Sequence, residues 1–178
     1  YSLDLVGKSN IQIDLQAQII SSIRDVPDFP KPGIVFKDIT PLLQDVVLSK
    51  KITLAFAEYW SSKSIDVIVG IESRGFIWGN SLAQEMNIPF VPIRKKGKLP
   101  ADTYAFKYDL EYGSAEVEIH KDGIEKGQNV LVHDDLLATG GTAMAAAELI
   151  KMCGGNVAGY SFLVELSFLN GKEVINKN

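Results

Sequence analysis

Apolar residues in the second two-thirds of the chain fall into short, nearly continuous runs separated by helical patterns. Four runs predict buried β-strands, at residues 65–71, 89–93, 129–133 and 157–164. Helical patterns cover residues 76–86 and 142–152, and the second pattern ends at Gly154-Gly155, a typical C-terminal cap. This alternation predicts an α/β fold with a mostly parallel sheet and helices on both faces.

The N-terminal third has a different pattern. Leu15, Ile19, Ile20 and Ile23 recur at helical spacing and predict a helix that ends before Pro27. Residues 26–33 include three prolines, which predicts a stiff, extended connector. A second amphipathic helix is predicted over residues 50–63, with Ser49 as its N-cap. We expect a single domain over residues 1–178, in which residues 1–33 form an N-terminal extension or hood.

Residues 97–128 interrupt the alternation of strands and helices. Ala115, Val117 and Ile119 alternate with polar residues and predict a half-exposed strand. Residues 104–108 could pair with it in an antiparallel hairpin. Long insertions in compact domains are often lids, so we expect residues 94–120 to form a flexible antiparallel lid.

Composition places the chain among ordered globular proteins, with 46% hydrophobic and 22% charged residues. The formal net charge of −4 argues against non-specific nucleic-acid binding. The single cysteine, Cys153, is expected to be a buried structural thiol, consistent with a reducing cytoplasm. No apolar run has the length of a membrane span, and no signal-peptide pattern is seen. We therefore expect a cytoplasmic protein without membrane or nucleic-acid partners, and the first residue, Tyr1, indicates that the natural start is missing or trimmed.

Polar clusters follow three of the predicted strands. The first strand is followed by Glu72-Ser73-Arg74-Gly75 and the second continues into Arg94-Lys95-Lys96-Gly97-Lys98. The third is followed by Asp134-Asp135 and then by Ala138-Thr139-Gly140-Gly141-Thr142. Ligands of open α/β sheets bind beyond the carboxyl ends of the strands, so these clusters predict one site.

The third cluster predicts a ribose 5-phosphate site. Ala138 to Thr142 opens a helix, where backbone N–H groups and two hydroxyls can surround a phosphate. No lysine follows the glycines as in a P-loop, and the G-x-G-x-x-G pattern is absent. Asp134 and Asp135 would repel a polyphosphate, but they suit the hydroxyl donors of a ribose. An ordinary helix cap beside a solvated acidic pair is the alternative, and it explains two adjacent acids after a buried strand poorly.

The two basic clusters could hold a second anion. A charged run alone is usually a solvated surface, but Arg94 to Lys98 lies beyond a strand in an acidic chain. Together with Ser73-Arg74-Gly75 it could bind diphosphate, bridged by Mg²⁺ that takes few protein ligands. His120 and His133 are isolated in the sequence, so we expect packing roles for both and no protein metal ligands.

Taken together, these residues resemble the signature of the type I phosphoribosyltransferases, and within them the adenine-specific family. The resemblance covers residues 23–165, and five blocks carry it in the same order: Asp28 to Thr40, Gly70 to Phe76, Arg94 to Pro100, Leu110 to Gly113 and Asp134 to Thr142. Two features depart from the family pattern or lie beyond it. Lys37 stands where arginine is common, and the role of the short polar tail from Gly171 is open.

The resemblance implies a reaction in which adenine and 5-phosphoribosyl 1-diphosphate give AMP and diphosphate. It also implies Mg²⁺ held mainly by the substrate diphosphate and ribose, and a cytoplasmic homodimer in purine salvage. By the same resemblance, the 5′-phosphate is bound by Ala138, Thr139, Gly140, Gly141 and Thr142, and the ribose hydroxyls by Asp134 and Asp135. The diphosphate residues are Ser73, Arg74, Arg94, Lys95 and Lys98. The adenine residues are Val35 and Lys37, through their backbones, with Phe36 and Leu136 near the ring. Glu111 is the acid/base residue of the lid, beside Tyr112.

Two other functions fit parts of this pattern. A related enzyme could accept a 6-oxopurine, but Pro32 to Phe36 resembles the adenine segment, and a 6-oxo group reverses the hydrogen bond at that position. A regulator could bind phosphoribosyl diphosphate without catalysis. Such a protein should carry a DNA-binding module and a basic surface, and this chain has room for neither.

Overall fold

The computed structural model describes residues 10–109 and 114–176. Two compact units divide the chain between Tyr59 and Trp60, and we call them the N-terminal and C-terminal units. None of the helices in these described ranges combines the length and apolar character that a membrane crossing requires.

The N-terminal unit contains helices around a small hairpin. Its elements are α1 (Asn10–Ser22), β1 (Arg24–Pro27), β2 (Val35–Asp38), α2 (Thr40–Gln44) and α3 (Val46–Trp60), whose last residue begins the other unit. β1 and β2 pair antiparallel, with Val26 opposite Phe36. Of the predicted apolar stripe on α1, Leu15 and Ile19 are buried, whereas Ile20 is exposed. The first predicted helix is thus present and ends before Pro27.

Two predictions for this unit are wrong in detail. Residues 26–33 do not form an extended connector throughout, because Val26 and Pro27 belong to β1 and a turn follows, in which Asp28 accepts the Gly33 N–H at 2.7 Å. Ser49 does not cap the second helix. α3 begins at Val46, and the carboxylate of Asp45 accepts the N–H groups of its first turn.

The C-terminal unit is built on a six-stranded sheet. Its elements are β3 (Val67–Ile71), α4 (Gly75–Met86), β4 (Phe90–Lys95), β5 (Thr103–Asp109), β6 (Ser114–His120), β7 (Asn129–Leu137), α5 (Gly141–Cys153), β8 (Asn156–Glu165), a 3₁₀ turn (Ser167–Leu169) and α6 (Gly171–Ile175). The strand order is β5-β6-β4-β3-β7-β8. β4, β3, β7 and β8 run parallel, whereas β6 is antiparallel to both β4 and β5. The predicted mostly parallel α/β fold is confirmed.

Helices cover both faces of this sheet, as the sequence predicted. All five residues of β3 are buried, and successive side chains on a strand point to opposite faces. Val67, Val69 and Ile71 pack in one apolar cluster with α5. Gly70, on the opposite face, lies against the first turn of α4. Burial on both faces explains why the strand has no polar alternation.

The predicted pairing of residues 104–108 with the following strand is also confirmed. β5 and β6 pair over their full lengths, with Tyr104 opposite Ile119. The polar side chains of β6 are not all exposed, because Glu118 is only 8% exposed. Its carboxylate accepts the Gly97 N–H at 2.9 Å, which supports the turn after β4.

Candidate active site

The acidic pair lies within a strand. β7 continues beyond the predicted end at His133 to Leu137, with Asp134 opposite Phe162 of β8. Adjacent strand residues point to opposite faces, so the two carboxylates have different surroundings. Asp135 is 2% exposed, and its Oδ2 lies 3.0 Å from Nε of Arg74. The Asp135 N–H donates to Oδ1 of Asp134 at 2.8 Å.

Both carboxyl groups of this pair resist ionisation. Burial raises the pKa of Asp134 to about 8, and repulsion from Asp135 adds to the shift. Burial also raises the pKa of Asp135, against the opposing effect of the Arg74 guanidinium. A ligand that donates hydrogen bonds, or a nearby cation, would favour the ionised forms.

The phosphate loop, residues 138–142, connects β7 to α5. Gly140 has a φ of +86° and precedes the first residue of the helix, so a helix N-terminus opens directly from the loop. A pocket of about 310 Å³, open to solvent, lies here; its lining comprises Asp134, Leu136 to Ala143 and Phe162. The hydroxyl of Tyr108, on β5, lies 3.2 Å from Oγ1 of Thr142. The loop therefore combines the donors that bind a phosphate with a pocket next to the acidic pair.

The basic loop, residues 94–98, is organised by acidic side chains. The Glu72 carboxylate accepts from Arg94 at 3.2 and 3.4 Å and from the Lys95 N–H at 3.0 Å. Lys96 forms an ion pair with Glu116 at 2.8 Å. Within the ranges that the structure describes, the ammonium groups of Lys95 and Lys98 make no hydrogen bond or ion pair, so they can meet an anionic ligand.

Opposing effects determine the charge of Glu72. Burial raises its pKa, but the Lys95 N–H and the Arg94 guanidinium outweigh burial, and the pKa ends below its usual range. Glu72 therefore stays ionised at neutral pH and orients the basic loop.

The three polar clusters meet at one edge of the sheet. The Glu72 N–H donates to the Ile93 carbonyl at 2.9 Å, which joins the ends of β3 and β4. The ion pair between Arg74 and Asp135 joins the end of β3 to β7. Ser73 lies in the turn between β3 and α4. The diphosphate, ribose and phosphate residues expected from sequence are thus brought together.

The residues expected to bind adenine are divided between the units. Leu136 lines the phosphate-loop pocket of the C-terminal unit. In the N-terminal unit, Val35 is 51% exposed on β2 and Phe36 stacks edge-to-face on Phe29 at 5.2 Å. Lys37 is buried, and its side chain pairs with Asp25. Glu111 and Tyr112 lie outside the described residues.

Comparison with known proteins identifies the family. A model of the phosphoribosyl transferase domain matches residues 44–166. The adenine phosphoribosyltransferase of Sorangium cellulosum is 57% identical over 154 residues, which cover 86% of this chain and 76% of that relative. The chain belongs to the adenine phosphoribosyltransferase family.

Solved structures of the adenine phosphoribosyltransferase family share this fold. The enzyme from Thermoanaerobacter pseudethanolicus superposes with a TM-score of 0.88 at 46% identity, over 90% of this chain and 94% of that one. The Saccharomyces cerevisiae enzyme, solved with an imino-altritol bisphosphate and adenine, gives 0.85 at 39% identity over the same shares. The chain is therefore an enzyme, a glycosyltransferase of the pentosyl-transferring class.

Sequence reasoning gave no role to three residues that shape this adenine phosphoribosyltransferase site. Glu72 organises the basic loop, Tyr108 contacts the phosphate loop, and Gly171 lies against its first residue. An acid at the start of a basic cluster could have drawn attention to Glu72. Tyr108 and Gly171 have no such signal, because their contacts join segments distant in sequence.

The Mg²⁺ that the family resemblance implies would find few protein ligands near the pocket. In the described part of the chain, no group of three or more His, Cys, Asp or Glu side chains could hold a metal ion. His133 is buried, with Nδ1 3.2 Å from Oγ of Ser161, and burial lowers its pKa to about 4. The Asp134 carboxylate lines the pocket and Asp135 follows it in the strand, and the two could add at most a few ligands to those of a diphosphate.

Proposed function

We propose that this chain transfers the 5-phosphoribosyl group of 5-phosphoribosyl 1-diphosphate to adenine, giving AMP and diphosphate in purine salvage. The observation that carries the proposal is the meeting of the acidic pair, the phosphate loop and the basic loop at one edge of the sheet. Each of the three suits a different part of this substrate. The names of its relatives, and the adenine bound to the yeast enzyme, support the choice of base.

The ribose 5-phosphate half of the substrate suits the end of β7. Backbone N–H groups of residues 138–142 and the positive end of α5 would bind the 5′-phosphate. Asp134 and Asp135 would accept hydrogen bonds from the two ribose hydroxyls. The adjacent pocket, which Asp134 and the phosphate loop line, has room for a sugar.

The diphosphate half suits the ends of β3 and β4. Ser73, Arg74, Lys95 and Lys98 would contact its oxygens, and Arg94 is already oriented by Glu72. Asp134 or Asp135 would supply the protein ligands of Mg²⁺, and the ion would neutralise charge on the leaving diphosphate. Because the Arg94 guanidinium is oriented before substrate arrives, it would stabilise the leaving group with little reorganisation.

In the reaction, the bond from C1 of the ribose to diphosphate breaks and its electron pair leaves with the diphosphate. Because this cleavage runs ahead of bond formation, positive charge builds on the ribose before adenine nitrogen N9 forms the new bond and loses its proton. Glu111 would receive that proton, beside Tyr112 on the lid, and closure of the lid would exclude water as a competing nucleophile. Val35 and Lys37 would read the adenine edge through their backbones, with Phe36 and Leu136 near the ring.

We also propose that the enzyme works as a cytoplasmic homodimer. This proposal rests on family resemblance. Sedimentation analysis of the purified chain checks it, and a monomer at micromolar concentration would contradict it.

The substrate proposal is tested by supplying labelled phosphoribosyl diphosphate with adenine, hypoxanthine, guanine and xanthine together. We expect AMP as the product, with Mg²⁺ present, and no nucleotide of a 6-oxopurine. Formation of a 6-oxopurine nucleotide instead would show that the substrate is a 6-oxopurine and not adenine. Tight binding of phosphoribosyl diphosphate with no nucleotide formed from any base would indicate a binding protein.

The role of Glu111 is tested by Glu111→Gln. General acid–base catalysis is typically worth about 10²–10⁴-fold, so turnover should fall in that range while the affinity for phosphoribosyl diphosphate changes little. Steady-state rates and calorimetry measure the two effects. Glu85→Gln, which removes an exposed carboxylate on α4, is the control for lost charge. Unchanged turnover would remove Glu111 from the mechanism.

A further inference from the structure

The tail after β8 returns to the phosphate loop and is attached to both of its ends. The Leu166 N–H donates to the Leu137 carbonyl at 2.9 Å, immediately before the loop. Further along, Ile175 of α6 is buried against Leu137 and Ala143, immediately after the loop. The tail therefore spans the loop from one end to the other.

Between these attachments, the two backbones are in direct contact. A Cβ placed on Gly171 would lie 2.2 Å from the carbonyl oxygen of Ala138, far closer than real Cβ atoms approach. A Cβ on Gly140 would lie 2.9 Å from the carbonyl oxygen of Gly171. Each backbone thus fits only because the other contributes a glycine at the point of contact.

This contact fixes the direction of a ligand-binding donor. The Ala138 carbonyl and the Thr139 N–H belong to one planar trans peptide, so they point in opposite directions. Because the carbonyl lies against Gly171, the Thr139 N–H points away from the tail. Thr139 itself lines the phosphate-loop pocket.

We propose that residues 166–175 form a positioning element for the phosphate loop, in which Gly171 holds the Ala138 peptide so that the Thr139 N–H is aimed at the 5′-phosphate of ribose. The inference rests on the proposed function, because it assumes that the loop binds this phosphate. Gly171 is a positioning residue, since it acts through Ala138 and touches no substrate. Through Gly171, the tail from residue 171, whose role the sequence left open, takes part in binding.

The test is Gly171→Ala in the full chain, with ribose 5-phosphate and inorganic diphosphate as separate calorimetric probes. The added methyl group must push the Ala138 carbonyl aside and rotate the peptide. We expect the affinity for ribose 5-phosphate to fall about tenfold or more and the affinity for diphosphate, bound at β3 and β4, to stay unchanged. In turnover assays, KM for phosphoribosyl diphosphate should rise and KM for adenine should not.

Gly123→Ala is the matched control. Its Cβ would also make a close contact, at 2.9 Å, but with the side chain of Val91 near the start of β4, at the opposite edge of the sheet. It should leave both affinities unchanged. If Gly171→Ala does not fold, Ile175→Ala, which loosens the same element and keeps the glycine contact, decides by the same two probes.

Several outcomes would overturn the inference. A folded Gly171→Ala chain that binds ribose 5-phosphate as the parent does, or loses both probes equally, excludes a positioning role. The same results for Ile175→Ala exclude it when Gly171→Ala is unfolded. A parent chain that fails to bind ribose 5-phosphate contradicts the proposed function of the loop itself, which is a separate result.

Discussion

At the scale of single residues, the surroundings of Asp134 do not compensate its carboxylate for the loss of solvent. Its carboxyl is largely buried beside that of Asp135, and its pKa is raised to about 8. Between about pH 4 and pH 8 the unfolded chain has released this proton, whereas the folded chain retains it. The folded state then binds more protons, so this group makes the protein less stable as pH rises.

We predict that Asp134→Asn stabilises the chain against unfolding, by an amount that grows from pH 4 to pH 8. A single group can contribute a slope of up to about 1.4 kcal/mol per pH unit. The amide keeps an oxygen to accept the Asp135 N–H. Urea unfolding at several pH values measures the effect, with Glu85→Gln as the control. A stability difference that is constant over this pH range would show that the carboxyl ionises normally.

Residue roles were only partly accessible from sequence. The acidic pair and the glycine loop could be recognised because their spacing after an apolar run is specific. The partner of Arg74 could not be recognised. The sequence offers this side chain two anions, a bound diphosphate and a carboxylate, and does not choose between them. The structure shows its guanidinium 3.0 Å from Asp135. Its role toward diphosphate stays a prediction.

At the scale of elements, α3 shows where pattern reading fails. The predicted start at residue 50 missed the first turn, because Val46 and Val47 are 76% and 63% exposed and obscure the amphipathic pattern. The Asp45 carboxylate accepts two N–H groups there, at 3.1 and 2.9 Å. An aspartate followed by exposed valines reads as a loop until the helix geometry is known.

Asp45→Ala should destabilise the chain by about 1 kcal/mol, because it leaves the N–H groups of the first turn of α3 without their acceptor. Asp45→Asn keeps a cap oxygen and should cost much less. Thermal and urea unfolding measure both variants. Equal losses for alanine and asparagine would show that the cap contributes little and that the aspartate charge matters more.

The end of β7 was also placed too early. The acids at 134 and 135 interrupt the apolar run, so the prediction ended the strand at His133, yet the ladder with β8 continues to Leu137. Hydrogen bonds of the backbone do not depend on side-chain polarity, so a strand can continue through acidic residues. Buried acids are rare, and a pattern of apolar residues therefore excludes them from a strand. Pairing with β8 extends β7 to Leu137, and this pairing cannot be read from the sequence.

At the scale of the whole molecule, one apolar cluster joins α5 to strands of the C-terminal unit. Leu149 is fully buried in it, whereas Met152 on the same helix is 46% exposed. We predict that Leu149→Ala costs about 2–5 kcal/mol of unfolding free energy and Met152→Ala close to none. Urea unfolding followed by circular dichroism measures both. Similar losses for the two would mean that the cluster is not the main source of stability.

The overall architecture could be predicted from the sequence, whereas the strand order could not. Apolar runs alternating with helices are typical of a parallel sheet, and that part is confirmed. The insertion of β6 between β4 and β5 depends on contacts such as Arg94 opposite Glu118, between residues more than twenty positions apart. No local pattern contains that pairing. The division of the chain at Tyr59 and Trp60 likewise has no signal in composition.

The pKa values of two acidic residues of the site, Glu72 and Asp134, are shifted in opposite directions. Glu72 is held ionised by its donors, so the basic loop keeps its shape as the medium acidifies. Asp134 gains its proton near pH 8 and then accepts hydrogen bonds from a sugar less well. As pH falls through about 8, recognition of the sugar should therefore weaken first, while the basic loop keeps its arrangement.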